Sequence, residues 1–212
     1  MSDPRIIPLG EGAFIVRLSD KLDREVNSRA RALADAIQRA APAGLTDVVA
    51  ANSSVGVYFD HVNRDGELRR MVAELLNDRL SGALSNPGVH EVPVRYDGAD
   101  LSEVAATKGL SAQQVIEIHS SVDYQVFAIG FAPGFAYMGE VDERISVPRR
   151  ANPRISVPPG SVAIANRQTA IYPFATPGGW NIIGTTPVLP FDIERDPYAL
   201  FRVGDRVRFV PA

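Results

Sequence analysis

The distribution of proline divides the chain into two halves of different character. Eleven of the sixteen prolines lie at or after position 133, whereas residues 9–86 contain only Pro42. Proline fixes its φ angle and lacks a backbone donor, so it is excluded from helix interiors and confined to strand edges and turns. The first half can therefore build long regular elements, and the second half is expected to consist of short strands and turns.

The first half alternates between strand and helix periodicity. Ser19 or Asp20 is placed to cap the first helix, and the second helix starts near Asn63 or Asp65. The predicted elements are a strand at 13–18, a helix ending at 41–44, strands at 47–51 and 55–60, a helix ending at 81–82, and a strand at 89–95. The order β-α-β-β-α-β predicts a ferredoxin-like fold.

The second half begins with two short helical segments and continues as strands separated by proline and glycine. Ser111 precedes the second of these helices as an N-cap residue. The segments are helices at 101–109 and 111–120, and strands at 125–129, 145–147, 162–165, 180–185 and 206–210. Many short strands at this spacing predict a closed or strongly bent β-barrel.

Composition excludes several classes of function. The net charge is −3, with a pI near 5.6, which argues against nucleic acid or an anionic membrane as the main partner. The chain has no cysteine, so disulfides and thiolate chemistry are absent. The uncharged stretch at 124–139 is too short for a spanning helix, and the N-terminus lacks the pattern of a secretory signal. A cytoplasmic protein is expected.

The common catalytic and metal-binding motifs are missing. No G-x-x-x-x-G-K-[ST] phosphate loop and no G-x-S-x-G nucleophile turn occur in the sequence. The three histidines, His61, His90 and His119, lie far apart, so no metal site is predicted. The residues alone thus indicate no complete catalytic apparatus.

Three segments of the second half, residues 119–140, 147–165 and 166–187, nevertheless have the composition of a small-molecule pocket. Arg149, Arg150 and Arg154 lie between prolines, which can hold guanidinium groups in a geometry suited to a carboxylate or phosphate. Solvated surface charge is the alternative for these arginines. The other two segments supply a few polar side chains together with aromatic ones, which is the usual make-up of a ligand pocket. They are Gln168, Thr169 and Tyr172, beside Phe131, Phe135 and Trp180.

Two of these interpretations have structural alternatives. Phe131, Phe135 and Trp180 can equally be core residues of a barrel, since large aromatic side chains are usually buried. His119 near a helix end can complement the helix dipole, or it can serve as a proton-transfer group. Sequence alone leaves both pairs of alternatives open.

Five segments of this region, in order, carry a resemblance to a known family. They are GFAPGFAYMG at 130–139, the VPRR to SVAIA segment at 147–165, QTAIYP at 168–173, TPGGWNIIGTTP at 176–187 and GDRVRFVP at 204–211. This series closely resembles the Kip inhibitor / allophanate hydrolase subunit 1 family, which includes the B subunits of 5-oxoprolinases and part of the urea carboxylases. Thr185 stands where the family pattern has arginine.

The resemblance implies an α+β fold of two domains. They are an N-terminal ferredoxin-like α/β domain at 1–88 and a cyclophilin-like β-barrel domain at 89–212. It also implies a cytoplasmic subunit of a heteromeric, ATP-dependent amide or lactam hydrolase, most typically 5-oxoprolinase, that is inactive alone. The partner would be a larger subunit, of the type of allophanate hydrolase subunit 2 or the 5-oxoprolinase C subunit, with a possible third subunit, and ATP would act through the complex. Inhibition of histidine-kinase autophosphorylation is the alternative function.

Motif position and side-chain chemistry together suggest the site residues. The expected catalytic residues are His119, Arg149 and Arg154. The expected substrate-binding residues are Pro133, Phe135, Arg150, Gln168, Thr169, Tyr172 and Trp180.

Overall fold

The computed structural model describes residues 4–60, 65–77 and 87–212. The chain divides into two compact units, residues 1–86 and 87–212, where the sequence interpretation placed the boundary after residue 88. Both units combine helices with strands, and the larger sheet is barrel-like, so the α+β class is confirmed. In the described part of the chain no helix is long and apolar enough to cross a membrane.

The first unit is a four-stranded antiparallel sheet with helices packed on one face. Its elements are β1 (Arg5–Pro8), β2 (Ala13–Arg17), α1 (Arg24–Ala40), β3 (Leu45–Ala51), β4 (Ser54–Phe59) and α2 (Asp65–Asn77). The order in the sheet is β1-β2-β4-β3. Phe14, Val57 and Leu33 are examples of the fully buried side chains that alternate along strands and repeat along α1. The predicted end of the second helix at 81–82 lies outside the described residues.

One predicted strand belongs to the other unit. The strand predicted at 89–95 does not complete the first sheet, and β1 occupies the position beside β2 instead, paired from Arg5 opposite Arg17 to Pro8 opposite Phe14. The element order of the first half therefore includes one strand that pairs within the barrel, on the side of the 88/89 boundary that the family resemblance implies. A four-residue edge strand that ends in proline has too little alternation to be recognised from sequence.

The second unit is a seven-stranded sheet with two helices before its second strand. Its regular elements are β5 (Val89–Val94), α3 (Leu101–Lys108), α4 (Ala112–Ser120), β6 (Asp123–Ile129), β7 (Ala136–Gly139), β8 (Arg154–Val157), β9 (Ser161–Ala165), β10 (Gln168–Ile171), β11 (Thr176–Gly178), β12 (Asn181–Thr185) and β13 (Arg206–Pro211). The strand predicted at 145–147 is not formed, because Ile145 ends a 3₁₀ turn at Glu143–Ile145 and Val147 makes only an isolated β-bridge with Asn166. A separate two-stranded sheet pairs β8 with β11.

The large sheet curls until its two edges meet. Its order is β12-β9-β10-β7-β6-β13-β5, antiparallel except for the parallel pair β5 and β13. At the open side, the backbone of Arg95, just after β5, exchanges two hydrogen bonds with Thr185 in β12, of 2.9 and 2.8 Å. The predicted barrel is therefore confirmed as a nearly closed one. Its interior is filled by a continuous apolar core that includes Val126, Ile164 and Phe209.

Candidate functional site

The most distinctive concave feature of the second unit is a cavity of about 240 Å³, here called the aromatic cavity. It is lined by the side chains of Phe131, Phe135, Tyr137, Arg149, Pro153, Tyr172, Pro177 and Trp180, with the backbone of residues 178–179. Phe135 lies at the centre, with its ring edge-to-face against Tyr137, Tyr172 and Trp180 at centroid distances of 4.9, 5.3 and 5.6 Å. Each such pair contributes about 0.5–1.5 kcal/mol beyond burial, so these contacts stabilise the packing of the cavity walls.

Strand alternation explains why these rings share one side of the barrel wall. In β9, Val162 and Ile164 belong to the barrel core, whereas Ala163 and Ala165 pack with the aromatic cluster on the opposite face. The small alanine side chains leave room for Phe135 to approach the sheet. The aromatic cavity therefore lies on the outer face of the barrel wall.

A glycine turn holds Tyr172 against the cavity floor. The Tyr172 hydroxyl accepts a hydrogen bond from the backbone N–H of Trp180, and burial raises the pKa of this tyrosine. A Cβ atom at Gly178 would lie 2.3 Å from that hydroxyl, so no other residue fits there without displacing the ring. Phe131, at the mouth, has a left-handed backbone with φ of +72° and is 66% exposed.

Arg149 brings a positive charge to the aromatic cavity. Its guanidinium carbon lies 5.9 Å from the centroid of the Trp180 ring, within the range of a cation–π contact. Burial raises the pKa of Tyr137, and the charge of Arg149 opposes that rise. The positive charge of Arg149 therefore favours the ionised form of the tyrosine side chains that line the cavity, which partly offsets the increase that burial causes in their pKa values.

The other two predicted arginines are held by a buried carboxylate. Arg150 Nη1 and Arg154 Nη2 both donate to Asp100 Oδ1 at 2.7 Å, while Asp100 Oδ2 accepts the backbone N–H of Ile182 at 2.7 Å. Arg150 also pairs with Glu103 at 3.1 Å. Hydrogen bonding to Asp100 raises the pKa of Arg154. Both guanidinium groups are thus engaged in linking β8 and the segment before it to α3 and β12.

A second cavity of about 380 Å³, here called the polar cavity because Glu103, Asn152 and Asn181 contribute to its lining, lies beside this arginine cluster. Its lining comes from α3, from the segment 147–152 and from Asn181 at the start of β12. Arg150 lines this polar cavity, whereas Arg149 lines both cavities. Arg154 lines neither of them.

His119 lies inside the barrel, away from both cavities. It is 0% exposed, stacked on Phe209 at 4.7 Å, with Nδ1 2.8 Å from the Tyr96 hydroxyl and Nε2 3.0 Å from Thr169 Oγ1. Since Thr169 donates its proton to the Ala163 carbonyl, it must accept from Nε2–H, and Tyr96 then donates to Nδ1. Burial lowers the pKa of His119 to about 3, so the imidazole is neutral.

The predicted site residues therefore separate into groups. The aromatic cavity brings together Phe135, Tyr172, Trp180 and Arg149. Thr169 is fully buried with His119, and the proton-transfer role of that histidine stays a prediction without access to a cavity. Pro133 is exposed and Gln168 is half-buried in β10, and neither lines the two cavities.

Two residues of the site were not found by sequence reasoning. Asp100 precedes α3 and looks like an ordinary N-cap residue, but its side chain makes no cap hydrogen bond and instead binds the arginines. Tyr137 lies in β7 two residues after Phe135, so strand alternation places both on the same face. Among the described residues, no group of three histidine, aspartate or glutamate side chains forms a metal-binding cluster.

The nearly closed barrel belongs to the carboxyltransferase-type fold class, as solved structures with the same fold show. The crystal structure of the Kluyveromyces lactis urea amidolyase matches 99% of this chain and 15% of that chain with a TM-score of 0.77 at 15% identity, which shows the fold alone. The crystal structure of TTHA0988 matches with a TM-score of 0.85 and 42% identity. That match covers 94% of this chain but 40% of the TTHA0988 chain.

Sequence relatives give the particular family. The family model for the carboxyltransferase domain, subdomain C and D, matches residues 4–201. The 5-oxoprolinase B subunit of Bacillus subtilis (strain 168) is 37% identical over 220 residues, which cover 97% of this chain and 92% of that protein. The Escherichia coli O157:H7 protein of the same name is 56% identical over 124 residues, 57% of either chain. The chain belongs to the 5-oxoprolinase B-subunit family of carboxyltransferase domains.

Proposed function

We propose that this chain is one subunit of a heteromeric, ATP-dependent 5-oxoprolinase, which opens 5-oxoproline to glutamate, and that it is inactive alone. The observation that carries the proposal is the 37% identity to the Bacillus subtilis 5-oxoprolinase B subunit across nearly the whole of both chains. ATP acts through the assembled complex, because the chain has no glycine-lysine phosphate loop of its own.

The geometry of the aromatic cavity supports a contribution to substrate binding. Its volume of about 240 Å³ lies just below the ~300–1,000 Å³ range of drug-sized pockets, so it suits a smaller ligand. Apolar walls with a guanidinium group at one side match a compact ring that carries a carboxylate. 5-Oxoproline has this chemistry.

The surface around the opening of the aromatic cavity has the exposed apolar side chains expected where a partner subunit binds. Ile155 in β8 is 93% exposed, and β8 pairs with β11, whose Pro177 and Gly178 line the cavity. Phe131 is exposed at the same mouth. Large apolar side chains exposed around a cavity are typical of a protein interface. The proposed partner is a larger subunit, of the type of allophanate hydrolase subunit 2 or the 5-oxoprolinase C subunit, and the proposed complex has room for a third subunit.

The function is tested by reconstitution. ATP hydrolysis that depends on 5-oxoproline is measured with all subunits together and with this chain omitted. Loss of turnover on omission is expected, and unchanged turnover would overturn the proposal.

The interface is tested by co-purification of this chain with the larger subunit. Ile155→Asp is expected to weaken the complex about tenfold or more, because it buries a charge in an apolar contact. Ile193→Asp is the matched control, since Ile193 is also highly exposed, at 74%, but lies outside β8 and β11, in the segment between β12 and β13. Equal retention of both variants would contradict an interface at the cavity mouth.

A further inference from the structure

The three arginines of the segment 149–154 differ in how their charges are neutralised. Arg150 and Arg154 both donate to Asp100, whose side chain is only 3% exposed, and Arg150 also pairs with Glu103. Arg149 forms no ion pair within the described residues and lies over Trp180. The charge of Arg149 is therefore the one that remains available to a ligand in the aromatic cavity.

The backbone on either side of Arg149 is fixed. The carbonyl of Pro148 accepts a hydrogen bond from Asn181 Nδ2 at 2.9 Å, and the N–H of Arg150 donates to the carbonyl of Gly179 at 2.7 Å. Together with the Asp100 ion pairs, these bonds hold the segment against the turn that carries Trp180. Arg149 is thus presented from an anchored backbone, which lowers the entropy lost when its guanidinium group binds an anion.

The interior of the aromatic cavity combines apolar walls with hydroxyl groups and one positive charge, so the site is amphipathic. Phe135 and Trp180 supply apolar walls, and Tyr137 and Tyr172 place hydroxyl groups within the electrostatic influence of Arg149. A single cation at the edge of a small aromatic box selects a ligand with one carboxylate and a compact apolar body.

We propose that the aromatic cavity of this chain is a binding site for a small cyclic monocarboxylate, with Arg149 as the carboxylate ligand and Asp100 as the residue that positions it. The inference rests on the proposed function in one respect, since 5-oxoproline is such a carboxylate. It goes further in assigning recognition to this chain by itself and to Arg149 rather than to Arg150 or Arg154.

The chain contains an intrinsic fluorescence probe for the aromatic cavity. Trp180 is its only tryptophan and forms a wall of the cavity, so fluorescence excited where tyrosine does not absorb reports on the cavity directly. The full chain is titrated with L-5-oxoproline, with cyclopentanecarboxylate, which lacks the amide, and with 2-pyrrolidinone, which lacks the carboxylate. Saturable changes are expected with both carboxylates and none with 2-pyrrolidinone over the same range.

Substitutions separate recognition of the carboxylate from general damage. Arg149→Gln is expected to raise the Kd for both carboxylates about tenfold or more, and Arg149→Lys to lie between this variant and the parent protein. Arg208→Gln is the matched control, because Arg208 is paired with Asp123 and does not line the cavity. Its Kd values are expected to stay unchanged.

The positioning role of Asp100 has a readout of its own. Asp100→Asn keeps the shape of the side chain but removes the charge that holds Arg150 and Arg154. We expect it to raise the Kd for the two carboxylates while far-UV circular dichroism stays native, and Asp100→Glu to restore part of the affinity. Native affinity in Asp100→Asn would overturn this role.

Equal binding of 2-pyrrolidinone and the carboxylates, or native affinity in Arg149→Gln, would overturn the site. Failure here is distinguishable from failure of the proposed function. A chain that is required for turnover in the complex but binds no carboxylate alone contradicts only this inference. A chain that binds carboxylates but can be omitted without loss of turnover contradicts only the function.

Discussion

His119 occupies a position where a charge would be costly. The ring is fully buried, and its neutral form satisfies both Tyr96 and Thr169. Protonation would turn Nδ1 from acceptor into donor, although Tyr96 could then reorient its hydroxyl to accept. The main cost is therefore the desolvation of a cation, which is why the pKa falls from its ordinary value of 6.5 to about 3.

This depressed pKa predicts acid sensitivity of the fold. Below about pH 6.5 the unfolded chain binds a proton at His119 that the folded chain does not bind, so stability falls as pH decreases from there toward 3. Between about pH 7.5 and about pH 5, this one group should lower the free energy of unfolding by about 2 kcal/mol. Urea unfolding at both pH values measures it.

The control for this prediction is His119→Gln, which cannot titrate. The difference between the two proteins should shrink by the same amount on acidification, because all other titrating groups are common to both. A parallel loss of stability in both proteins would contradict a neutral, proton-excluding His119.

Strand parity separates two of the predicted site residues, Thr169 and Tyr172, in the structure. Thr169 and Tyr172 were grouped because they lie close in sequence, yet side chains three positions apart in extended chain point to opposite faces. Thr169 accordingly lies in the barrel interior with Ile171, whereas Tyr172 joins Ala170 on the cavity side. Alternation could have separated them. The partnership of Asp100 with Arg154 could not be predicted, because 54 residues lie between them.

Among the secondary-structure elements, α1 shows how competing contacts determine which residue becomes the N-cap of a helix. Sequence favoured Ser19 or Asp20, but the helix begins at Arg24 with Asp23 as its N-cap. Ser19 Oγ instead accepts the N–H of Lys21, and Asp20 pairs with Arg5 and Arg17. The pairing of Asp20 with Arg5 depends on β1 lying beside β2, which local sequence does not reveal. By contrast, the predicted Ser111 cap of α4 is confirmed, and Gln114 completes a capping box.

Two substitutions distinguish the cap from the ion pair. Asp23→Ala removes the acceptor for the N–H groups of Glu25 and Val26, at 2.8 and 3.1 Å, and should lower the free energy of unfolding by about 1 kcal/mol. Asp20→Ala removes only exposed ion pairs and should cost less, about 0–1 kcal/mol. Chemical denaturation of both variants measures the difference. A larger loss from Asp20→Ala would contradict the assigned cap.

In the whole molecule, the pairing of β5 (Val89–Val94) with β13 determines where one folding unit ends and the next begins. Order of elements alone assigned this strand to the first sheet, because β-α-β-β-α-β is a complete pattern. Its pairing partner is β13, more than a hundred residues later, in a parallel register from Val89 opposite Arg206 to Val94 opposite Pro211. Local periodicity carries no information about a partner so distant. Only the family resemblance, which implies a domain boundary after residue 88, places this strand with the barrel.

This assignment predicts how the chain can be divided. A fragment of residues 87–212 should fold alone and keep the native Trp180 fluorescence, since every residue of the barrel core lies within it. A fragment of residues 96–212 should not fold. It lacks Val92 and Val94, both buried and each worth about 1.5–3 kcal/mol, and it leaves β13 and β12 as unpaired edges.

Fragments of the first unit with and without the strand at 89–94 provide a second test of the same assignment. Residues 1–86 and 1–95 should have the same midpoint of urea unfolding, because β1 already fills the place beside β2 that a ferredoxin-like fold reserves for the last strand. Val89→Ala in fragment 87–212 serves as a control for the sensitivity of β5, since Val89 is 75% exposed and its loss should be nearly neutral. Two results would contradict the assignment of β5 to the second unit. They are a native-like fold of the 96–212 fragment and a higher stability of the 1–95 fragment than of the 1–86 fragment. Either result would also contradict closure of the barrel through the Arg95–Thr185 backbone bonds.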